Sequence, residues 1–147
     1  GESILVDGFK IAQTIKKIDK ELFNLLSSIQ VPGKYTGDGV ILEAKRPIFK
    51  LDNNELIQVS FNNYDRAEFR LDELQTLRFY RAIKIFDNLI NKPEFQWRHI
   101  LKPGQLLIFN NWRILHGRAS FYGKRKMAGC YINMEDFISA CRVNGIN

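Results

Sequence analysis

Turn-forming residues cut this chain into short pieces, and that limits its architecture more than any other feature. Pro32-Gly33, Asp52-Asn53-Asn54, Lys92-Pro93, Pro103-Gly104 and Gly123 each interrupt an apolar run. Proline fixes φ and lacks a donor, while Gly and Asn tolerate the left-handed region, so such residues end regular structure. What remains between them is short strands, with helices at the start, middle and end.

Ser3–Val6 reads as a strand, and Asp7 as a helix N-cap. Phe9, Ile11, Ile15, Ile18, Leu22, Leu25 and Ile29 recur at helical spacing, with Asp19 as a second cap, so two short helices are expected. Lys34–Lys45 is ambiguous, with Gly37 and Gly39 marking a loop. Ile48–Leu51 and Leu56–Phe61 predict strands around the Asp52-Asn53-Asn54 turn. Asp72 opens the clearest helix, on which Leu74, Leu77, Tyr80, Phe86, Leu89 and Ile90 outline an apolar face; Phe79, Tyr80 and Phe86 read as core aromatics. Trp97–Leu101, Gln105–Asn110, His116–Ser120 and Arg125–Ile132 predict further strands. Met134–Asn144 is expected to be a helix, with Glu135 and Asp136 in the first turn, where the helix dipole favours them.

With 147 residues, 45% of them hydrophobic, the chain is long enough for one domain with a real core. The net charge of +6 raises nucleic acid or small anions as partners, but the basic residues are scattered and no stacking platform accompanies them, so no nucleic-acid partner is expected. No apolar run reaches membrane-spanning length, so no membrane partner is expected either. Cys130 and Cys141 sit in no CxxC pair and read as reduced and inert. The opening, Gly1-Glu2-Ser3-Ile4-Leu5-Val6, reads like the inside of a domain, and the natural protein is expected to begin further upstream.

The chemistry concentrates in Asn110–Arg118, which holds His116, one of only two histidines. If residues 116–120 and 121–125 paired as a hairpin, His116 would face Arg125, because directly opposed residues share a face. The turn residues 120–123 do not fix that register. Two cationic-capable groups side by side repel each other unless something anionic lies between them. A metal on the imidazole and a dicarboxylate gripped by the guanidinium would be such a pair. A core histidine and a surface arginine remain the simpler alternatives.

At this point the sequence carries a family resemblance. "FNNWRILHGR", "YGKRKMAGCY", "VSFNNYDRA" and the opening "ESILVDGFKIA" resemble the C-terminal part of the trimethyllysine dioxygenase and γ-butyrobetaine dioxygenase family of Fe(II)/2-oxoglutarate oxygenases, nearly end to end. "NNYDRA" with "NWR-x-LHGR" and "GCY" is closer to the trimethyllysine branch. The resemblance implies that residues 1–147 are the C-terminal part of a TauD/TfdA-like catalytic domain. The implied fold is mainly β with flanking helices: a double-stranded β-helix (jelly roll, cupin-like), incomplete on its N-terminal side. It also implies hydroxylation of Nε-trimethyllysine in carnitine biosynthesis, with Fe(II), 2-oxoglutarate as cosubstrate and ascorbate as reductant. In that family iron is held by two histidines and a carboxylate. Carried over, His116 matches the distal iron histidine and Arg125 the anchor of the distal 2-oxoglutarate carboxylate. Asn62, Asn63 and Tyr64 match a segment lining the substrate pocket, and Trp112 and Arg118 flank the iron histidine. The family often has Asp-Asn-Trp-Arg where this chain has Asn110-Asn111-Trp112-Arg113.

The family's other iron ligands form a His-x-Asp pair, and this chain has none: His99 is followed by Ile100 and Leu101. Alone, the chain is therefore expected to be an incompetent enzyme with strand edges open to pairing, and a homodimer is one outcome. γ-Butyrobetaine as substrate and a non-catalytic remnant acting as a binding module stay open beside the main reading. So do cytoplasmic and mitochondrial locations.

Overall fold

The computed structural model describes residues 1–146. The chain opens with β1 (Ser3–Asp7), α1 (Gly8–Ile18) and α2 (Lys20–Ser28), followed by two hairpins, β2 (Val31–Gly37) with β3 (Val40–Arg46) and β4 (Phe49–Asp52) with β5 (Glu55–Val59). The long α3 (Glu73–Ile90), β6 (Gln96–His99), β7 (Ile114–Arg118) and α4 (Met134–Val143) complete it.

Local chemistry explains the early elements. The Asp7 carboxylate accepts hydrogen bonds from the N–H groups of Phe9 and Lys10, and Asp19 does the same for Glu21 and Leu22, so two caps divide one helical pattern into two helices. Asp72 caps α3 through the Gln75 N–H. Residues 34–45 form a hairpin rather than a loop, because Asp38 and Gly39 both take positive φ (52° and 78°) and so close a two-residue turn. Asn53 and Asn54, at 46° and 66°, make the equivalent turn between β4 and β5.

The core lies between α1, α2, α3 and the β4–β5 hairpin. Phe49, Phe79 and Phe86 are fully buried there. Phe49 stacks on Phe23 at 5.4 Å and meets Phe86 edge-on at 5.8 Å. The buried stripe of α3 is Phe79, Ala82, Phe86 and Leu89. Leu74, Leu77 and Tyr80, expected on its apolar face, are exposed. The packed helix face is the one turned toward α2, and it is offset from the leucine pairs.

Among the described residues, seven strands form three separate antiparallel sheets: β6-β1-β7, β2-β3 and β4-β5. The architecture is thus a mixture of helices and small sheets, and the described residues do not build a complete double-stranded β-helix. Two expected strands are absent: residues 105–110 and 125–132 carry no ladder. The 116–125 hairpin does not form either. β7 pairs with β1 instead, placing His116 opposite Leu5. A strand exists only where a neighbour completes its hydrogen bonds, and β1 offers a full edge to β7.

Candidate active site

Side chains alternate across the three-stranded sheet. Val6 pairs with Gln96 and Leu115, and this face packs toward the helices: Val6 is buried, and Leu115 rests on the core. Leu5 pairs with Trp97 and His116, so those three share the opposite face. His116 is exposed there, its ring 5.0 Å from that of Phe109. Two residues along β7, Arg118 lies over Phe121 at 5.6 Å.

β7 is an edge strand, and it borders a groove of about 840 Å³ that Ile4, Val6, Gln96 and Leu115 of the same sheet also line. His116 and Arg118 border it on β7, and Asn62, Asn63 and Tyr64 border it across from them. The structure therefore brings four of the five sequence-predicted site residues to one groove. Arg125 is not among the residues lining it. Its Nη1 donates to the Gly1 carbonyl, and its guanidinium lies 5.9 Å from the centre of the Phe121 ring. With no hairpin joining residues 116–125, nothing turns this side chain toward His116.

The Asn62–Arg66 segment is a self-bonded turn. Asn62 Oδ1 accepts from the Tyr64 N–H (2.8 Å), and its Nδ2 donates to Asp65 (2.6 Å). Asn63 Oδ1 accepts from Arg66 Nη2 (2.8 Å). The Asn62 amide is thus committed at both ends, as asparagines often are in turns, while Asn63 keeps its Nδ2 free of any partner among the described residues. Tyr64 is almost fully exposed, at 98%. The groove also takes in Arg46 and Arg66, and neither forms an ion pair among the described residues. Arg66 Nε is buried with no acceptor.

A turn leads into β7. Asn110 Oδ1 accepts from the Trp112 N–H (2.9 Å), and its carbonyl accepts from the N–H groups of Arg113 (3.1 Å) and Ile114 (2.9 Å). An amide oxygen serves this turn as a carboxylate would. Arg113 then reaches Asp7, with Nη2 2.6 Å and Nε 3.1 Å from the carboxylate. The Arg113 hydrogen bonds are the main cause holding the Asp7 carboxyl below its ordinary range, with the capping N–H groups adding to it and desolvation opposing it. The same contact raises the Arg113 guanidinium. Local patterns give no sign of this pair, because its members lie 106 positions apart.

Iron in this chemistry needs three protein donors. Among the described residues no group of three His, Cys, Asp or Glu side chains comes together. His116 is a single donor with an aromatic neighbour, so the residues present do not by themselves fit a bound iron.

Comparison with known proteins agrees with the motifs around His116. The chain is 44% identical to the trimethyllysine dioxygenase of Meyerozyma guilliermondii, over 100% of its own length and 38% of that protein's. It is 35% identical to the mitochondrial trimethyllysine dioxygenase of Rattus norvegicus, again over 100% of its length and 37% of the relative's. Human gamma-butyrobetaine dioxygenase is 32% identical, over 97% of this chain and 39% of that protein. The chain thus spans less than two-fifths of the length of these relatives. The model of the taurine catabolism dioxygenase TauD, TfdA family matches residues 1–131, with β1, the groove-lining turn and all of β7 inside the match. This chain belongs to that dioxygenase family.

Proposed function

We propose that this chain is one part of an Fe(II)- and 2-oxoglutarate-dependent oxygenase that hydroxylates Nε-trimethyllysine, with the remaining iron ligands supplied by residues outside it. The observation that carries the reading is the position of His116. Inside a family match covering 131 residues, it stands on β7 beside the groove bordered by Asn62, Asn63 and Tyr64. In this reading His116 is one iron ligand and Arg125 is the anchor for the distal 2-oxoglutarate carboxylate. Asn63 and Tyr64 contact substrate, while Asn62 shapes the turn that presents them. The sheet β6-β1-β7 forms part of a double-stranded β-helix whose other strands also lie outside this chain. Bound iron would supply oxygen activation. The work of this chain's own residues is to hold one donor, grip a carboxylate and border the substrate groove.

Arg125 can serve only if its bond to the Gly1 carbonyl is exchanged for a carboxylate. A guanidinium binds carboxylate through two parallel charge-assisted bonds, stronger than one bond to a neutral carbonyl. Trimethyllysine is preferred over γ-butyrobetaine on the 44% identity to the Meyerozyma guilliermondii trimethyllysine dioxygenase, with the human trimethyllysine and gamma-butyrobetaine enzymes nearly level at 33% and 32%. The name of the rat relative favours a mitochondrial location for the whole protein.

The test joins this chain to the portion of the Meyerozyma guilliermondii protein that it does not match, and measures succinate formation with each substrate. The expected outcome is turnover with trimethyllysine, abolished by His116→Ala. Arg125→Ala should raise the 2-oxoglutarate concentration needed for half-maximal rate by tenfold or more, on the order expected for losing a paired charge-assisted contact. The 147-residue chain alone should give no succinate. Full turnover in the His116 variant would remove the ligand assignment.

A further inference from the structure

One carboxylate ties together the end of β1, the start of α1 and the start of β7. Asp7 is the last β1 residue in the β1–β7 ladder, opposite Ile114. Its Oδ1 accepts from the N–H groups of Phe9 (3.0 Å) and Lys10 (3.3 Å). Arg113 brings Nε to Oδ1 and Nη2 to Oδ2, the two-pronged geometry of a guanidinium on a carboxylate. The backbone repeats the link, since the Gly8 N–H donates to the Arg113 carbonyl at 2.9 Å. A Cβ at Gly8 would stand 2.8 Å from that oxygen, so glycine is what permits the approach. The guanidinium also covers the Phe9 ring at 5.4 Å.

β7 needs such a device. A strand that slips by one residue turns every side chain to the other face, and register is normally held by apolar alternation. In β7, Ile114 and Leu115 are consecutive apolar residues and position 117 is glycine, so alternation specifies little. A one-residue slip would send His116 to the helix-facing side now held by Leu115.

We infer that Asp7 and Arg113 are positioning residues that fix the register of β7 on β1, and thereby set the sheet face on which His116 stands. The importance of that position rests on the function proposed above; the pin itself can be tested without it.

The test is amide hydrogen exchange and cross-strand NOE measurement by NMR on the 147-residue chain with two variants. Arg113→Lys keeps the charge but loses the fork. Asp7→Ser keeps a helix-capping oxygen but loses the carboxylate. In both, the β7 ladder amides should exchange about tenfold faster, while the β1–β6 ladder changes less than about twofold. The contacts of His116 with Leu5 and Phe109 should weaken, and in Asp7→Ser the α1 amides should stay protected. Three results would overturn the inference: unchanged β7 exchange with the Leu5–His116 contact intact, an equal rise in β6 and β7, or loss of the whole fold in both variants. If His116→Ala retained turnover in the joined polypeptide, the function would fail while these exchange results stood.

Discussion

Single side chains divide sharply by how local their task is. Asp7 is readable as a cap, because a cap needs only the next three residues. Its second partner, Arg113, comes from the far end of the chain. That partnership gives Asp7 a pH signature. Its carboxyl lies below the ordinary value, so its contribution to stability is complete above the unfolded-state pKa of about 4 and fades as pH falls through the lower folded-state value. Denaturant titrations of the parent and Asp7→Asn should therefore differ at neutral pH and converge in acid. A gap that persists below both values would mean that the carboxylate charge is not what matters. The place of His116 and of the Asn62–Tyr64 segment beside one groove is legible from contiguous motifs. The place of Arg125 is not, because it depends on a hairpin register that residues 120–123 do not dictate.

At the scale of elements, helices announce themselves and strands do so only in part. α1, α2 and α3 carry their own caps and periodicity, so their existence and limits come from a few consecutive residues. The buried side of α3 does not, since it is chosen by what packs against it. Phe86 shows the strength of that packing: fully buried, it meets both Phe49 and Phe61. Phe86→Ala should cost about 3–5 kcal/mol in a denaturant melt, the usual range for deleting a core aromatic ring. Gly8→Ala should destabilise by about 1–3 kcal/mol, since the new methyl group would press on the Arg113 carbonyl and Val59. The β2–β3 hairpin has its signal in Asp38-Gly39, a turn pair that the nearby Gly37 disguises as part of a longer loop. Residues 105–110 and 125–132 have the apolar content of strands but no ladder, and the local sequence says nothing about whether a partner will be present.

Across the whole molecule, order is unevenly distributed. Among the described residues, the buried core residues all fall between Val6 and Leu89. Beyond β6, large apolar side chains such as Leu106, Ile108, Tyr131 and Val143 stand mostly exposed. Backbone with few buried contacts opens cheaply. Amides in 100–112 and 119–133 should therefore exchange much faster than those of α1, α2 and α3, by a hundredfold or more in hydrogen-exchange mass spectrometry, an order-of-magnitude expectation for surface loops against core helices. Comparable protection in both regions would contradict this distribution.

The central strand of the three-stranded sheet is made long before either of its neighbours. β1 spans residues 3–7, yet its partners are residues 96–99 and 114–118. During synthesis at roughly 5–20 residues per second, β1 leaves the ribosome several seconds before either neighbour exists. Through that interval its hydrogen-bonding edges have neither of these two strands to meet, so this segment of the newborn chain is exposed to mispairing, and a chaperone that holds it would act where β1 waits.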